Sequence, residues 1–272
     1  MTTELTDTAT RLGHVPSRLG TTLELVDGRM VAFLTPSPAL CPRGTLSMAS
    51  AVLLVDALTG YSVDADDDVW ALTSDISVRL PLLPPPSRID ATVVELRGGS
   101  RSATFETNLV ADDQPWGTAF ARFAKVPRRA EDAAKPPLDR DRAAARGTRE
   151  PLDEPLRDVA GFESREPAGV VAVALRKGLL NVAGGLQGAI AAGLAEAAAE
   201  DLADHVLGHD PVYVVTELEI RYLTESRRSP IVATARFVGP PAEGLVRIDL
   251  VDDDGRGTLT TTVSARLRPV PA

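Results

Sequence analysis

Two carboxylates interrupt long apolar stretches of this sequence and are its best candidates for chemistry. Asp56 lies in the run GTLSMASAVLLVDALTG, and Glu196 lies in the run GGLQGAIAAGLAEAAAE. A carboxylate within an apolar helix is costly unless it is paired or hydrated. At such a place it can act as a general base or as a nucleophile. The alternative interpretation is a solvated or ion-paired residue near a helix end, with no part in catalysis.

The two runs belong to an internal repeat. Gly44 falls on Gly184 and Asp56 falls on Glu196, and the apolar residues between them follow the same spacing. Further blocks then match in the same order: DISVRLPLL with ELEIRYLTE, IDATVVE with IVATARF, and VADDQPWGTAFARF with VDDDGRGTLTTTVSARL. Because a repeat of this length spans a whole domain, the chain predicts two similar domains in tandem.

Each half predicts the same elements in the same order. An opening strand or hairpin precedes a long apolar helix, at about 45–60 in the first half and about 184–205 in the second, and four β-rich segments separated by turn signals follow. The small residues of the second helix suit a helix that strands approach closely. We therefore predict an α+β fold, in which an antiparallel sheet wraps one central helix in each half.

The predicted domain boundaries follow from the repeat. The first domain covers residues 1–126 and the second covers 161–272. The segment between them, 127–160, is charged, rich in proline and poor in large apolar residues, which is typical of a linker that crosses the surface or is partly disordered. A short amphipathic helix at DRDRAAARG is the alternative for part of it.

Composition narrows the classes of partner. The chain has 272 residues and a formal net charge of −9, which argues against nucleic acid or an anionic membrane. Cys41 is the single cysteine, so neither an intrachain disulfide nor a cysteine-based zinc site is expected, and the three histidines lack metal-ligand spacing; we predict no metal. The polar N-terminus has no signal-peptide pattern, and no apolar run reaches membrane-spanning length, so a cytoplasmic location is expected.

The repeated pattern resembles the hotdog superfamily, in particular the branch of 4-hydroxybenzoyl-CoA and phenylacetate-pathway thioesterases. In that branch a glycine pair, usually preceded by histidine, opens the helix. A carboxylate follows nine residues after the histidine, an amide lies six residues before it, and a hydroxyl begins the next strand. In the second half these positions carry Asn181, Gln187, Gly188, Glu196 and Thr216, and in the first half Cys41, Ser47, Met48, Asp56 and Ser74. The likeness covers about 24–126 and 168–268, but the His-Gly-Gly sequence itself is absent from both halves.

A working site must combine the two halves. Gly188 and Glu196 are eight residues apart, about 12 Å along one helix, so they cannot both touch one carbonyl group. The family builds its sites by packing two helices antiparallel, which joins the N-terminus of one helix to the carboxylate of the other. Site one would then contain Asn181, Gln187 and Gly188 with Asp56 and Ser74, and site two would contain Cys41, Ser47 and Met48 with Glu196 and Thr216. Because site two has Met48 at the family's glycine position, we predict that site one functions and that site two is degenerate.

The resemblance implies an acyl-CoA thioesterase with no cofactor other than the coenzyme A of its substrate. The Gly188 N–H would polarise the thioester carbonyl, Gln187 and Asn181 would orient it or the helix start, and Asp56 would be the base or nucleophile. Ser74 would hold the lytic water or Asp56. A homodimer of such pseudo-dimers is possible. Two alternatives remain: an acyl-CoA-binding or interaction module whose chemistry has decayed, and a hotdog hydratase or dehydratase. Arg79 and Arg221, which match in the repeat, would contact coenzyme A phosphates or form surface ion pairs.

Overall fold

Two long helices dominate the helical part of the fold. The computed structural model describes residues 14–27, 29–63, 68–128, 150–253 and 255–271. Helix α1 spans Met48–Val63, the short helix α2 spans Leu156–Ala160, and α3 spans Gly188–Val206. Both long helices lie within a few residues of their predicted positions. Among these described helices, none is long and apolar enough to cross a membrane.

Twelve strands form one continuous antiparallel sheet. The first half contributes β1 Thr21–Val26, β2 Arg29–Leu34, β3 Val69–Arg79, β4 Ile89–Gly98, β5 Ser102–Ala111 and β6 Gln114–Pro127. The second half contributes β7 Glu163–Arg165, β8 Val170–Val173, β9 Tyr213–Tyr222, β10 Ile231–Phe237, β11 Leu245–Asp252 and β12 Thr258–Pro269. The strand order is β1-β2-β4-β5-β6-β3-β9-β12-β11-β10-β8-β7, so each half supplies six strands.

The two halves meet where β3 pairs with β9. Ser77 lies opposite Glu219, and the pairs on either side are symmetric, because Asp75 faces Arg221 and Arg79 faces Glu217. The nitrogen–oxygen distances of these two ion pairs are 3.8 Å and 3.9 Å. The paired arginines of the repeat therefore form surface ion pairs at the domain junction, which is the second of the two interpretations. Such exposed pairs contribute little stability but reveal the pseudo-twofold relation of the halves.

The central helices pack antiparallel and in close contact. Gly193 of α3 lies against Ala49 of α1, and a Cβ atom added at Gly193 would lie only 3.1 Å from the Ala49 Cβ. The flanking residues Ala189, Ala192, Ala195 and Ala199 are fully buried. Small side chains let the two backbones approach, while buried Leu, Ile and Val from the sheet fill the remaining core. This packing brings the N-terminus of each helix beside the middle of the other.

The end of the predicted linker is packed against the domains. Residues 129–149, which include DRDRAAARG, lie outside the described part of the chain. From residue 150 the chain lies against the domains, with Leu152 and Leu156 buried. Arg18 donates to the carbonyl oxygen of Glu150 at 3.2 Å and pairs with Asp153 at 3.3 Å. The last residues of the predicted linker are therefore packed onto the fold, with Leu156 against Gly193 of α3.

Candidate active site

A cavity of about 430 Å³ lies where the N-terminus of α3 faces the middle of α1. The five residues predicted for site one all line it: Asp56, Ser74, Asn181, Gln187 and Gly188. They come from both halves of the chain, as antiparallel packing of the two helices requires. Thr73 and Tyr222 also line this cavity. The structure thus brings the predicted residues together, and their catalytic roles stay predictions.

Asp56 points into this cavity from α1 and is held by a hydroxyl group. The Thr73 Oγ1 donates a hydrogen bond of 2.6 Å to the Asp56 Oδ1. Burial raises the pKa of the Asp56 carboxyl above its usual value, and the Thr73 hydrogen bond opposes this shift. Asp56 is therefore a carboxylate with increased proton affinity, which is the property a general base needs.

The hydroxyl that holds Asp56 belongs to Thr73 and not to Ser74. A β-bulge interrupts the pairing of β3 with β6 between Thr73 and Asp75, so Ser74 is the extra residue. The Ser74 Oγ donates instead to the carbonyl oxygen of Arg122 at 3.1 Å. The expected contact between Ser74 and Asp56 is corrected accordingly. The sequence pattern missed this because a bulge changes which side chain faces the helix.

The N-terminus of α3 leaves one backbone amide available to the cavity. The Gln187 Oε1 accepts hydrogen bonds from the N–H groups of Ala189, at 2.7 Å, and Ile190, at 3.3 Å. Within the described residues the N–H of Gly188 has no acceptor, as is usual for the first residue of a helix. The positive end of the helix dipole adds to this exposed donor. Gln187 therefore caps the helix, and Gly188 offers the amide.

Asn181 shapes the turn that leads to this helix. Its Oδ1 accepts hydrogen bonds of 3.0 Å from the N–H groups of Ala183 and Gly185. The backbone N–H of Gln187 in turn donates to the carbonyl oxygen of Leu179 at 3.0 Å. The side-chain oxygen of Asn181 is thus engaged within its own turn. Of the two orienting roles considered for Asn181, these contacts match orientation of the helix start.

Tyr222 is a cavity residue that the sequence analysis missed. Its hydroxyl donates to the carbonyl oxygen of Gly188 at 3.0 Å, and a Cβ atom at Gly188 would lie 2.9 Å from that hydroxyl. Burial raises the pKa of Tyr222 well above its usual value, and the nearby Asp56 raises it further, so the phenol stays neutral. The repeat could have pointed to Tyr222, because the matching position of the first half is the apolar Leu80 and the second half has a hydroxyl there instead.

In site two, the carboxylate Glu196 binds directly to the N-terminus of α1. The Glu196 Oε1 accepts a hydrogen bond of 2.9 Å from the backbone N–H of Met48, the first residue of α1. Burial raises the pKa of Glu196 to about 7, although the amides of Met48 and Ala49 and the charge of Arg43 oppose the shift. The amide that would polarise a ligand carbonyl is therefore occupied by this side chain.

The other predicted residues of site two do not contact Glu196 by hydrogen bonds. The Ser47 Oγ bonds to the Ser50 Oγ at 3.1 Å, and the Thr216 Oγ1 donates to the carbonyl oxygen of Arg266 at 3.5 Å. Burial, followed by the charge of Glu196, raises the pKa of the Cys41 thiol to about 11. Cys41 is therefore an unreactive thiol at neutral pH.

A smaller cavity of about 240 Å³ adjoins site two. Arg43 and Glu200 line it and form an ion pair of 2.9 Å, and Arg43 also pairs with Asp204 at 2.6 Å. Leu156 of α2 also lines this cavity and lies against α3 at Gly193. Site two is thus narrowed by charged side chains and by α2.

In the part of the chain that the structure describes, no cluster of three or more His, Cys, Asp or Glu side chains could hold a metal ion.

Comparison with known proteins identifies the fold. No family model and no curated protein sequence matches the chain. Among solved structures, the tesB protein of Mycobacterium avium subspecies paratuberculosis has a TM-score of 0.62 at 16% identity, covering 94% of this chain and 98% of its own. An acyl-ACP thioesterase from Bacteroides thetaiotaomicron has a TM-score of 0.57 at 11% identity, covering 88% and 97%. A protein of unknown function with a hot dog fold from Alicyclobacillus acidocaldarius has a TM-score of 0.56 at 12% identity, covering 95% and 99%. The chain therefore has the predicted α+β architecture of two hotdog domains in tandem, the fold that it shares with these structures.

Proposed function

We propose that this chain is an acyl-CoA thioesterase that works at site one. The observation that carries the proposal is the pairing of an unoccupied helix amide, Gly188 N–H, with a buried carboxylate, Asp56, on one cavity between the halves. A carbonyl group needs both of these partners for hydrolysis, since one stabilises the developing oxyanion and the other activates the attacking group. The acyl-ACP thioesterase structure that shares this fold supports the choice of reaction.

The reaction follows from the positions of these groups. The carbonyl oxygen of the thioester accepts a hydrogen bond from Gly188 N–H, so the negative charge that develops on it faces the positive end of α3. Asp56 removes a proton from a water molecule, and the water oxygen bonds to the carbonyl carbon. The carbon–sulfur bond then breaks, and the leaving thiolate takes up a proton. Direct attack by Asp56, followed by hydrolysis of the anhydride, requires the same deprotonated carboxylate.

The remaining cavity residues position these two groups. Thr73 orients the Asp56 carboxylate through its 2.6 Å hydrogen bond. Gln187 caps the amides behind Gly188, so the first N–H remains for the substrate. Tyr222 binds the carbonyl oxygen of Gly188, in the peptide group that follows the substrate amide, and so holds the first turn of α3 in place. The Leu72, Phe123 and Ala191 side chains add apolar walls that suit an acyl chain.

The test is a direct measurement of thioester cleavage. The protein is incubated with coenzyme A esters whose acyl groups range from short to long. Release of free thiol is measured, and binding is measured separately by calorimetry. We expect turnover by the wild type, and binding without turnover by Asp56→Asn. Binding without turnover by the wild type would overturn the proposal and support a decayed acyl-CoA-binding module.

A further inference from the structure

Three arginines surround a concave surface at one end of the first-half sheet. Arg97 on β4, Arg101 in the following turn and Arg122 on β6 line a concavity of about 690 Å³ and are all exposed. Ser100, Ser102 and Thr104 add hydroxyl groups to the same wall. Among the described residues, no carboxylate lies within ion-pair distance of any of the three guanidinium groups. The surface therefore concentrates positive charge on a chain whose net charge is −9.

The arginines lie at the same end of the sheet as site one. Arg122 neighbours Asp75 across the β3–β6 pair, and the Arg122 carbonyl oxygen accepts the hydrogen bond of Ser74, a cavity residue. Arg101 also lies close to the cavity wall. Its carbonyl oxygen accepts a hydrogen bond from the N–H of Lys125, and the preceding residue, Ala124, lines the cavity. Arg122 lies one strand from β3 and Arg97 lies three strands from it, so their backbones are about 5 and 14 Å from β3.

The second half lacks this cluster, although it repeats the same strands. Arg266 pairs with Glu217 as Arg122 pairs with Asp75, but its guanidinium donates to the carbonyl oxygen of Glu243 at 2.7 Å. The turn between β10 and β11, VGPPAEG, contains no arginine, whereas the matching stretch of the first half, LRGGSR, contains Arg97 and Arg101. Within the described residues, this cluster of three arginines is therefore present in the half whose strand β3 lines the open site and absent from the matching place in the other half.

We propose that Arg97, Arg101 and Arg122 bind the phosphate groups of the nucleotide portion of coenzyme A. This inference rests on the proposed thioesterase function. Guanidinium groups bind phosphate oxygens with paired, charge-assisted hydrogen bonds, and three of them match a ligand that carries three phosphate groups. The flexible pantetheine arm connects this surface to the thioester at Gly188 and Asp56. The chain would thereby select coenzyme A esters over thioesters that lack the nucleotide.

The test compares two substrates that share one acyl group. The triple variant Arg97→Ala/Arg101→Ala/Arg122→Ala is assayed with an acyl-CoA and with the matching acyl-N-acetylcysteamine thioester, which has no phosphate. We expect KM for the acyl-CoA to rise at least tenfold with kcat nearly unchanged, and kcat/KM for the small thioester to stay within twofold. The KM of the wild type for acyl-CoA should also rise with salt, and that of the variant should not.

A matched control uses the double variant Arg79→Ala/Arg221→Ala, whose arginines already pair with carboxylates; its KM for acyl-CoA should stay within twofold. An unchanged KM in the triple variant, or an equal loss with both substrates, would overturn the inference. A loss confined to an acyl carrier protein substrate would also overturn it and assign the arginines to protein docking. If the wild type cleaves no thioester, binding of adenosine 3′,5′-bisphosphate still tests the arginines: wild type should bind it and the triple variant should not.

Discussion

Sites one and two are built from matching positions of one repeat, yet only site one leaves its helix amide free. Glu196 reaches the N–H of Met48 at 2.9 Å, whereas Asp56, one methylene shorter, bonds to Thr73 at 2.6 Å. Val215 takes the position of Thr73 in the second half and offers no hydroxyl. The comparison shows that side-chain length and one strand hydroxyl decide whether a carboxylate caps the helix or faces an open cavity.

One helical turn farther on, the halves differ again. Gly60 lines the larger cavity, and a Cβ atom there would have no neighbour within 4 Å. The matching residue in the second half is Glu200, which fills the space and pairs with Arg43. Glycine within a helix costs about 1 kcal/mol relative to alanine, and no close packing requires it here. The larger cavity of site one thus depends on an absent side chain as well as on the short Asp56.

The largest expected effect comes from removing the site-one carboxylate. Asp56→Asn should lower kcat/KM for the best acyl-CoA by about 10³-fold, since an amide can neither accept the water proton nor attack the carbonyl. The matched change Glu196→Gln should leave kcat/KM within twofold. Steady-state release of coenzyme A measures both. A reversed outcome, with Glu196→Gln inactive and Asp56→Asn active, would exchange the roles of the sites.

A conservative change should convert site one into a copy of site two. In Asp56→Glu the longer side chain can reach Gly188 N–H as Glu196 reaches Met48 N–H, which occupies the amide needed by the substrate. We expect a loss of about 10²-fold in kcat/KM with the charge preserved. A crystal structure of the variant should show the new hydrogen bond. Activity close to that of the wild type would show that side-chain length does not distinguish the two sites.

Loss of the Thr73 hydroxyl should have a smaller effect that depends on pH. Its hydrogen bond lowers the pKa of Asp56 against the effect of burial, so Thr73→Val should raise that pKa. The acidic limb of the pH profile of kcat/KM should move to higher pH, and the maximum should fall about tenfold. Ser74→Ala, which removes only the hydrogen bond to Arg122, should shift neither quantity. A profile that moved in Ser74→Ala instead would restore the original assignment.

Filling the space at Gly60 should change substrate range and leave the chemistry intact. For the longest acyl chain that the wild type accepts, Gly60→Leu should reduce kcat/KM about tenfold. For the shortest acyl chain, kcat/KM should stay within threefold of the wild-type value. Gly60→Ala serves as the control for the backbone, because it should raise the Tm without narrowing the range. A uniform loss across chain lengths in Gly60→Leu would show that this position does not face the acyl chain.

Glu196→Gln should have the smallest effect on activity but a measurable effect on the free energy of unfolding. Burial raises the pKa of Glu196 from 4.5 to about 7, so between these pH values the folded chain holds a proton that the unfolded chain has released. The free energy of unfolding of the wild type should therefore fall as the pH rises through this window. Glu196→Gln keeps an acceptor for Met48 N–H but does not titrate. Its stability relative to wild type should grow by roughly 1–3 kcal/mol from pH 4.5 to 7, measured by denaturant titration. A difference independent of pH would contradict this account.

Much of the fold followed from local patterns. The matching blocks predicted two equivalent halves, and four strands after the long helix were predicted in each half because alternating residues and turn signals act within a few positions. The distance of about 12 Å between Gly188 and Glu196 along one helix required a composite site. The partner contacts were harder to predict, since Thr73 replaced Ser74 at a bulge and Tyr222 entered the cavity from β9.

Residue type and spacing were enough to predict which segments repeat, which are helices and strands, and which carboxylates interrupt the apolar helices. The packed fold was needed to show that Glu196 caps α1 while Asp56 faces a cavity, and that Leu156 packs beside site two. Those outcomes depend on differences of one methylene group and one strand hydroxyl between segments that are far apart in the chain. Such differences have no periodicity, so they become visible only once the two helices are packed together.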